Sequence, residues 1–207
     1  MAPKVKFTKE EMIAASLAVA RRKGVAGVTA RNVAAELGGS TRPIFTYYDT
    51  LAELRKDTLQ AAENYFFDWL RLGLKADIPF LGFGLQYIAF AREEPMLYQS
   101  LFMTPSANDA ADLVDTFRRS ADIVRGSIMD TYHMDAAAAD HYYRNMWLVV
   151  YSLAALVVLG NCPYTDEDMR SILSEFSAAT CKAIKEIPGF AGGRFDRDTV
   201  FAELTEE

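Results

Sequence analysis

The chain has 207 residues, of which 51% are hydrophobic and 24% are charged. This composition suits a folded protein with a substantial core and excludes an intrinsically disordered chain, which would have few apolar residues. The net charge is -6, but eight Lys or Arg and only four Asp or Glu fall within residues 1–49, so this region is basic and the remainder acidic. A basic end favours binding to a polyanion, although charge alone leaves a chance distribution open.

The histidines and cysteines give no sign of a metal or a cofactor. Cys162 and Cys181 are too few for a disulfide framework or a thiolate metal site, and His133 and His141 are better explained as solvated residues. The N-terminal MAPKVKFTKEE lacks the apolar segment of a secretory signal. The longest apolar run, 147–159, is too short to cross a bilayer. We therefore expect a cytoplasmic protein with no membrane contact, no metal and no cofactor.

Helical periodicity runs through nearly the whole chain, and no alternating pattern indicates a strand, so we predict an all-α fold. Thr8 and Glu11 have the spacing of a capping box at the start of a first helix that ends at Gly24. Thr29 is predicted to cap a second, short helix that ends at Gly38.

A third short helix is predicted to begin at Ser40, which is a good cap, with Pro43 in the first turn where its missing N–H has no intrahelical acceptor. At 100° per residue, Ile44, Phe45 and Tyr48 share one side and should pack on the two preceding helices. The opposite side faces outward and carries Arg42, Pro43, Thr46 and Tyr47.

A short helix that presents these residues after a glycine turn is typical of the second helix of a helix-turn-helix, which enters the major groove of DNA. Arg42 could reach a guanine edge, and three neighbours could contact phosphate or a thymine methyl group: Thr41, Thr46 and Tyr47. Lys4 and Lys6 could add phosphate or minor-groove contacts. An ordinary helical corner would also explain the glycines, but not the outward Tyr47 or the local positive charge.

Six longer or later helices are predicted to begin near Leu51, Asp77, Pro95, Ser106, Asp135 and Thr165. The helix from Leu51 is expected to connect the N-terminal region with the rest of the chain. The segment PGFAGG at 188–193 predicts a turn before a polar tail.

The segment VTARNVAAELGGSTRPIFTYYDTLAEL resembles the DNA-binding segment of the TetR (tetracycline-repressor-like) family of bacterial regulators. The matching positions are Thr29, Arg31, Val33, Ala34, Gly38, Ser40, Ile44, Phe45, Tyr47, Tyr48, Glu53 and Leu54. The stretch QYIAFAREEPMLYQSLF is also similar to one broad subgroup of that family.

The resemblance implies a helix-turn-helix DNA-binding domain at 1–50, a helical effector-binding and dimerisation domain at 51–187, and a polar tail at 188–207. It adds Thr29, Arg31, Ser40 and Pro43 to the candidate DNA-binding residues. Many relatives carry a lysine just beyond the aromatic pair, where this chain has Asp49-Thr50-Leu51. The phosphate contact there should therefore be weaker, or be supplied by Tyr47, Thr50 and backbone amides.

Aromatic residues and methionines are concentrated in residues 65–103, where they can form core or line a plastic apolar cavity. Core packing is the ordinary role of any one of them, but the resemblance implies an effector pocket. The candidate lining residues are Trp69, Tyr87, Phe90, Tyr98, Phe102, Phe117, Trp147 and Tyr151. The last two long helices are apolar on more than one face, so we expect a homodimer that pairs them across a two-fold axis.

These observations predict a repressor that leaves a near-palindromic stretch of double-stranded operator DNA when a small apolar or amphipathic effector binds. Two alternatives stay open: a small-molecule-binding protein with a weakened DNA-binding region, and an all-helical enzyme. The sequence has no nucleotide-binding glycine motif and no helical His-Glu metal motif, which makes the enzyme the weaker alternative.

Overall fold

The computed structural model describes residues 7–104 and 113–205, and within them it shows α-helices and no strand, as predicted. The α-helices are α1 (Lys9–Lys23), α2 (Ala30–Glu36), α3 (Ile44–Tyr47), α4 (Leu51–Leu72), α5 (Pro79–Glu93), α6 (Pro95–Phe102), α7 (Leu113–Tyr132), α8 (Ala136–Val158), α9 (Asp166–Glu186) and α10 (Arg197–Thr205). None of the helices in these two ranges is long and apolar enough to cross a membrane.

Four helix starts have the caps that the sequence predicts. The Thr8 hydroxyl accepts a hydrogen bond from the Glu11 amide at 3.1 Å, and the Glu11 carboxylate accepts one from the Thr8 amide at 2.8 Å. Thr29, Asp135 and Thr165 each accept a hydrogen bond from the amide three residues further on. Each cap satisfies an amide that has no partner within its helix, and each depends only on neighbouring residues.

The predicted start of the third helix is wrong, because α3 is a single turn that begins at Ile44 rather than after Ser40. Ser40 makes no capping contact. Instead, the Ile44 amide donates to the Thr41 carbonyl at 3.2 Å, which closes a turn of the chain around Arg42 and Pro43 before the helix begins. Pro43 occupies the cap position and has no side chain that could accept a hydrogen bond.

The predicted inward side of α3 is also wrong at one residue. Ile44 and Tyr48 are buried, but Phe45 is 53% exposed. Phe45 lies roughly 100° around the helix from Ile44, and a single turn of helix presents only a narrow arc to the core. That arc covers Ile44 and leaves Phe45 in solvent.

The later helices follow the predicted order. The long helix α4 ends at Leu72, and a 3₁₀ turn, Gly73–Lys75, follows it. The helix start predicted at Ser106 lies outside the described residues. The C-terminal segment contains a helix that the sequence analysis did not predict, α10, whose first turn is closed by a hydrogen bond from the Thr199 amide to Asp196 at 3.2 Å.

The chain divides into two compact units. Unit 1 comprises the described part of residues 1–69 and 90–117, and unit 2 comprises the described part of residues 70–89 and 118–207. The core of unit 1 includes Met12, Val33, Ile44, Leu54, Phe66, Phe90 and Leu97. The core of unit 2 includes Phe83, Val124, Ile128, Tyr142, Met146 and Leu173.

Candidate DNA-binding surface

The turn between α2 and α3 is set by Gly38, whose φ of 63° is in the left-handed region that favours glycine. The Gly39 amide then donates to the Ala34 carbonyl at 2.9 Å and closes the end of α2. After the turn, the buried Ile44 and Tyr48 attach α3 to the core of unit 1. These anchors leave the polar residues of the turn and of α3 in solvent.

Most of the predicted DNA-binding residues lie on the surface. The exposed ones are Arg31, Ser40, Thr41, Arg42, Thr46 and Tyr47, while Thr29 and Pro43 are half-buried. The Thr29 hydroxyl caps α2 by accepting a hydrogen bond from the Asn32 amide, so Thr29 has a structural role in the fold. Lys4 and Lys6 lie outside the described residues. Surface position is compatible with DNA contact, and the contacts themselves stay a prediction.

The basic residues of this region differ in whether they form ion pairs within the protein. Three ion pairs hold residues of α1: Lys9 with Asp57, Arg21 with Glu94 and Arg22 with Glu36. In contrast, the side chains of Arg31 and Arg42 make no ion pair and no hydrogen bond within the described part of the chain. Their guanidinium groups are therefore available to an external anion or base edge.

Tyr47 connects α3 with Phe7, two residues before the start of α1. Its hydroxyl donates to the Phe7 carbonyl at 3.2 Å, although 39% of the residue stays exposed. The Thr46 hydroxyl lies 3.5 Å from the Arg42 carbonyl, at the limit of a hydrogen bond. Both side chains keep exposed surface that a ligand could contact.

The start of α4 carries an acidic group where relatives are expected to hold a phosphate. The Glu53 carboxylate accepts hydrogen bonds from the amides of Asp49 at 3.0 Å and Thr50 at 3.4 Å. The Thr50 hydroxyl in turn accepts from the Glu53 amide at 3.3 Å. The backbone amides that were predicted to bind phosphate therefore already donate to a carboxylate, and its negative charge repels anions.

Helix α1 is joined to the N-terminal end of α6 by a carboxylate that is almost fully buried. Arg21 Nε donates to Glu94 at 3.0 Å and Arg21 Nη2 makes a second, short contact with the same carboxylate. The Tyr65 hydroxyl of α4 donates to Glu94 at 3.2 Å. The hydrogen bond that Arg21 donates to Glu94 raises the pKa of Arg21. The side chain of Arg21 is 50% exposed, and that of Glu94 is 5% exposed. This cluster links three helices of unit 1.

A second contact joins the turn after α1 to α6. The Val25 amide donates to the Ser100 hydroxyl at 3.1 Å, and Ser100 donates to the Met96 carbonyl at 2.8 Å. Gly24 has a φ of 70°, and a Cβ there would come within 3.3 Å of both the Met96 and Ser100 side chains. The sequence predicts that α4 connects residues 1–50 with the rest of the chain, and within unit 1 α6 also contacts those residues.

The aromatic residues predicted to line an effector pocket fall into separate groups. In unit 1, the ring centroids of Trp69 and Phe90 are 5.8 Å apart and those of Tyr98 and Phe102 are 4.8 Å apart. In unit 2, Trp147 and Tyr151 stack at 5.1 Å. Phe117 belongs to unit 1 and is half-buried, and Tyr87 belongs to unit 2 and is buried. Unit 2 contains a cavity whose walls include Phe80, Met146 and Leu173, and none of the eight residues lines it. Their role therefore stays a prediction.

The fold and this surface together define a class of protein: an all-α protein whose first three helices have the arrangement of a helix-turn-helix. Residues 80–178 match the family model described as "Tetracyclin repressor-like, C-terminal domain". This match supports the TetR family of regulators, which the N-terminal residues also indicated. A search of curated proteins gives no match. No group of three His, Cys, Asp or Glu residues in the described ranges is placed to hold a metal ion.

Proposed function

We propose that the chain is a ligand-responsive repressor that binds double-stranded operator DNA through α2, α3 and the turn between them, in the cytoplasm. The observation that carries this proposal is the exposed pair Arg31 and Arg42, which the described part of the chain leaves without ion pairs. A guanidinium group can bind phosphate, or read guanine through two parallel hydrogen bonds. Arg42, at the start of the recognition element, is the better candidate for a base.

The test measures binding of the full-length protein to its own upstream DNA by fluorescence anisotropy at several salt concentrations. Arg42→Ala should weaken binding roughly 10- to 100-fold and relax specificity at one base pair. Arg31→Ala should weaken binding to all sequences and reduce the salt slope by about one. Unchanged affinity in both variants would contradict the proposal.

Arg22→Ala is the matched control, because it removes the same charge from the same region. Arg22 is exposed but already paired with Glu36. If DNA contact rather than net charge sets the affinity, Arg22→Ala should have a much smaller effect than Arg42→Ala. Equal losses in the two variants would assign the effect to general electrostatics.

We also propose a homodimer through α8 and α9. Both helices expose large apolar side chains: Leu148 is 54% exposed and Phe176 is 52% exposed. A two-fold dimer covers such surface and places two DNA-binding regions on two half-sites. Phe176→Glu should therefore halve the mass measured by light scattering. Leu204→Glu, which changes a residue of α10 that is 73% exposed, is the control and should keep the mass of the dimer.

The response to effector is proposed to pass through α6 as well as α4, because Glu94 and Ser100 hold α1 and the turn after it. A small apolar or amphipathic effector that binds better to one position of these helices must change DNA affinity, and DNA must change effector affinity by the same factor. A thermal-shift screen of such compounds supplies ligands, which are then titrated into the DNA complex. Compounds that bind protein and leave DNA affinity unchanged would contradict this part of the proposal.

One observation favours an alternative, a small-molecule-binding protein whose DNA-binding region is weakened. The Glu53 carboxylate occupies the amides at the start of α4. This alternative predicts no salt-sensitive DNA binding even when the Glu53 charge is removed, whereas the repressor predicts measurable binding in the unaltered protein.

A further inference from the structure

Unit 2 contains a cavity of about 280 Å³ between α5, the end of α7, α8 and α9. Its walls are apolar and include Phe80, Leu81, Met146, Val150 and Leu173. The volume is close to the lower end of ligand pockets in proteins, about 300 Å³. The cavity can therefore hold a small apolar molecule but is small for a large one.

A cluster of hydroxyl groups lies in the lining of the cavity. The Ser177 hydroxyl lies 2.6 Å from the Tyr142 hydroxyl and 3.4 Å from the Tyr132 hydroxyl, and both Ser177 and Tyr132 line the cavity. The Cys181 thiol also lines it and interacts with Ser177 and Tyr142. Hydroxyl hydrogens rotate, so this cluster can donate to a carbonyl or accept from a ligand hydroxyl.

No Asp, Glu, Lys or Arg is among the residues that line this cavity. Burial raises the pKa of Tyr142 and of Cys181, so both groups are neutral at pH 7. Lys185 acts electrostatically on Cys181 but does not line the cavity. An ionised ligand would lose its hydration here and gain no opposite charge, which is costly. The lining therefore favours a neutral ligand.

The cavity lies on a different side of α9 from the apolar stripe expected at the dimer interface. The cavity side of the helix carries Leu173, Ser174, Ser177, Ala178 and Cys181. The stripe consists of Ile172, Phe176, Ala179 and Ala183. The centres of the two sets are roughly 160° apart around a helix of 3.6 residues per turn. A second copy docked on the stripe would thus leave the cavity to a small molecule.

We propose that this cavity is a binding site for a small, neutral, mainly apolar molecule with one carbonyl or hydroxyl group, which hydrogen-bonds to the Ser177 and Tyr132 hydroxyls. The site contains none of the eight aromatic residues predicted to line the effector pocket. Its occupancy does not require DNA binding, so the site can be tested separately from the repressor function.

The test uses 2-decanone as the neutral probe and decanoate as its charged counterpart. In full-length protein carrying Cys162→Ser, Cys181 is the one remaining thiol. Its alkylation by N-ethylmaleimide is followed by intact-protein mass spectrometry. At ten times its dissociation constant, 2-decanone should slow alkylation about tenfold. Decanoate at the same concentration should have little effect. Absence of protection by 2-decanone, or equal protection by decanoate, would overturn the proposal.

Two serines on the same helix give a matched pair of variants. Ser177→Ala removes the centre of the hydroxyl cluster and should weaken 2-decanone binding roughly fivefold, measured by calorimetry. Ser174 also lines the cavity, but its hydroxyl donates to the Arg170 carbonyl at 2.9 Å, so Ser174→Ala should leave affinity unchanged. Equal affinities in the two variants would overturn the assigned polar contact. Val150→Trp should fill the cavity and abolish protection, and Ser177→Ala decides the question if that variant does not fold.

Discussion

Unit 1 contains a buried carboxylate that joins segments distant in sequence, whereas unit 2 contains two nearby backbone segments that approach each other closely. In unit 1, Arg21 and Glu94 are 73 residues apart and meet at a carboxylate with 5% exposure. In unit 2, Gly73 and Gly82 bring two backbone segments together, and the ion pairs of Arg125 are exposed. Unit 1 should therefore be sensitive to the loss of single charges, and unit 2 to the addition of single atoms.

The largest effect is expected where unit 2 has no room for a side chain. A Cβ at Gly82 would lie 2.2 Å from the Gly73 carbonyl oxygen, so backbone must move. Gly82→Ala should lower the free energy of unfolding by about 3 kcal/mol, measured by urea denaturation.

Gly126→Ala is the control in the same unit, because nothing lies within 4 Å of the added atom. Gly126 is inside α7, where alanine is the better helix former, so this variant should gain about 1 kcal/mol. Equal effects of the two changes would contradict the steric explanation.

The second effect compares two arginine ion pairs. Arg21→Ala leaves the buried Glu94 carboxylate with Tyr65 but without a cation, and should cost about 2 kcal/mol of stability. This value is below that for a fully buried pair because Arg21 is half exposed. Arg125→Ala removes exposed pairs with Asp122 and Asp140 and should cost less than about 1 kcal/mol. If urea denaturation gives equal losses, burial of the carboxylate is not what makes unit 1 sensitive.

A smaller effect is expected at the start of α4. Glu53→Gln keeps an oxygen that can accept from the amides of Asp49 and Thr50 but removes the negative charge. We expect DNA affinity to rise roughly threefold at low salt, with a smaller gain at high salt because charges are screened. Anisotropy measurements check this, with Glu186→Gln on α9 as the control. A gain that does not depend on salt would count against an electrostatic cause.

The smallest effect concerns pH. A hydrogen bond from Lys9 holds the pKa of Asp57 below its usual value, and the Tyr48 hydroxyl also donates to this carboxylate. Because the pKa is lowered on folding, the stabilisation is present above the unfolded pKa of about 3.9 and is lost as pH falls through the folded value. In Asp57→Asn, the free energy of unfolding should therefore fall less on acidification than in the unaltered protein. The difference should be less than about 1 kcal/mol, since the pair is partly exposed.

Asp49→Asn is the control for this measurement, because the Asp49 side chain makes no ion pair or hydrogen bond within the described residues. It should leave the pH dependence of stability, followed by acid titration of urea midpoints, unchanged. An equal flattening in both variants would show that the Lys9 contact is not responsible.

Helix order and helix caps could be predicted from the sequence because they depend on residues three or four positions apart. The predicted caps are confirmed at four helix starts: Thr8, Thr29, Asp135 and Thr165. The same kind of signal was present at Asp196, which accepts from Thr199, and it was missed in the segment interpreted as a tail. Ser40 shows the limit of such signals, since a good cap residue does not start a helix when the following turn closes differently.

Contacts between distant segments could not be predicted from the same patterns. Nothing near Glu94 in the sequence identifies Arg21 as its partner, and nothing near Ser177 identifies Tyr142, which is 35 residues away. The prediction that Phe45 is buried was wrong for a related reason. Burial depends on which surface the helix packs against and not on hydrophobicity alone. The candidate surface residues Arg31 and Arg42 were found because they sit within a local motif.

The contacts of residues 1–50 with α4 and α6 bear on how this regulator could be re-engineered. Lys9, Arg21 and Val25 each bond to a residue beyond position 50, and the Val28 carbonyl accepts from Arg55 at 3.0 Å. A chimera spliced at residue 50 would sever all of these bonds at once. A graft that moves the proposed DNA-binding region of this protein into another chain should therefore transfer residues 51–69 and 90–104 together with residues 1–50.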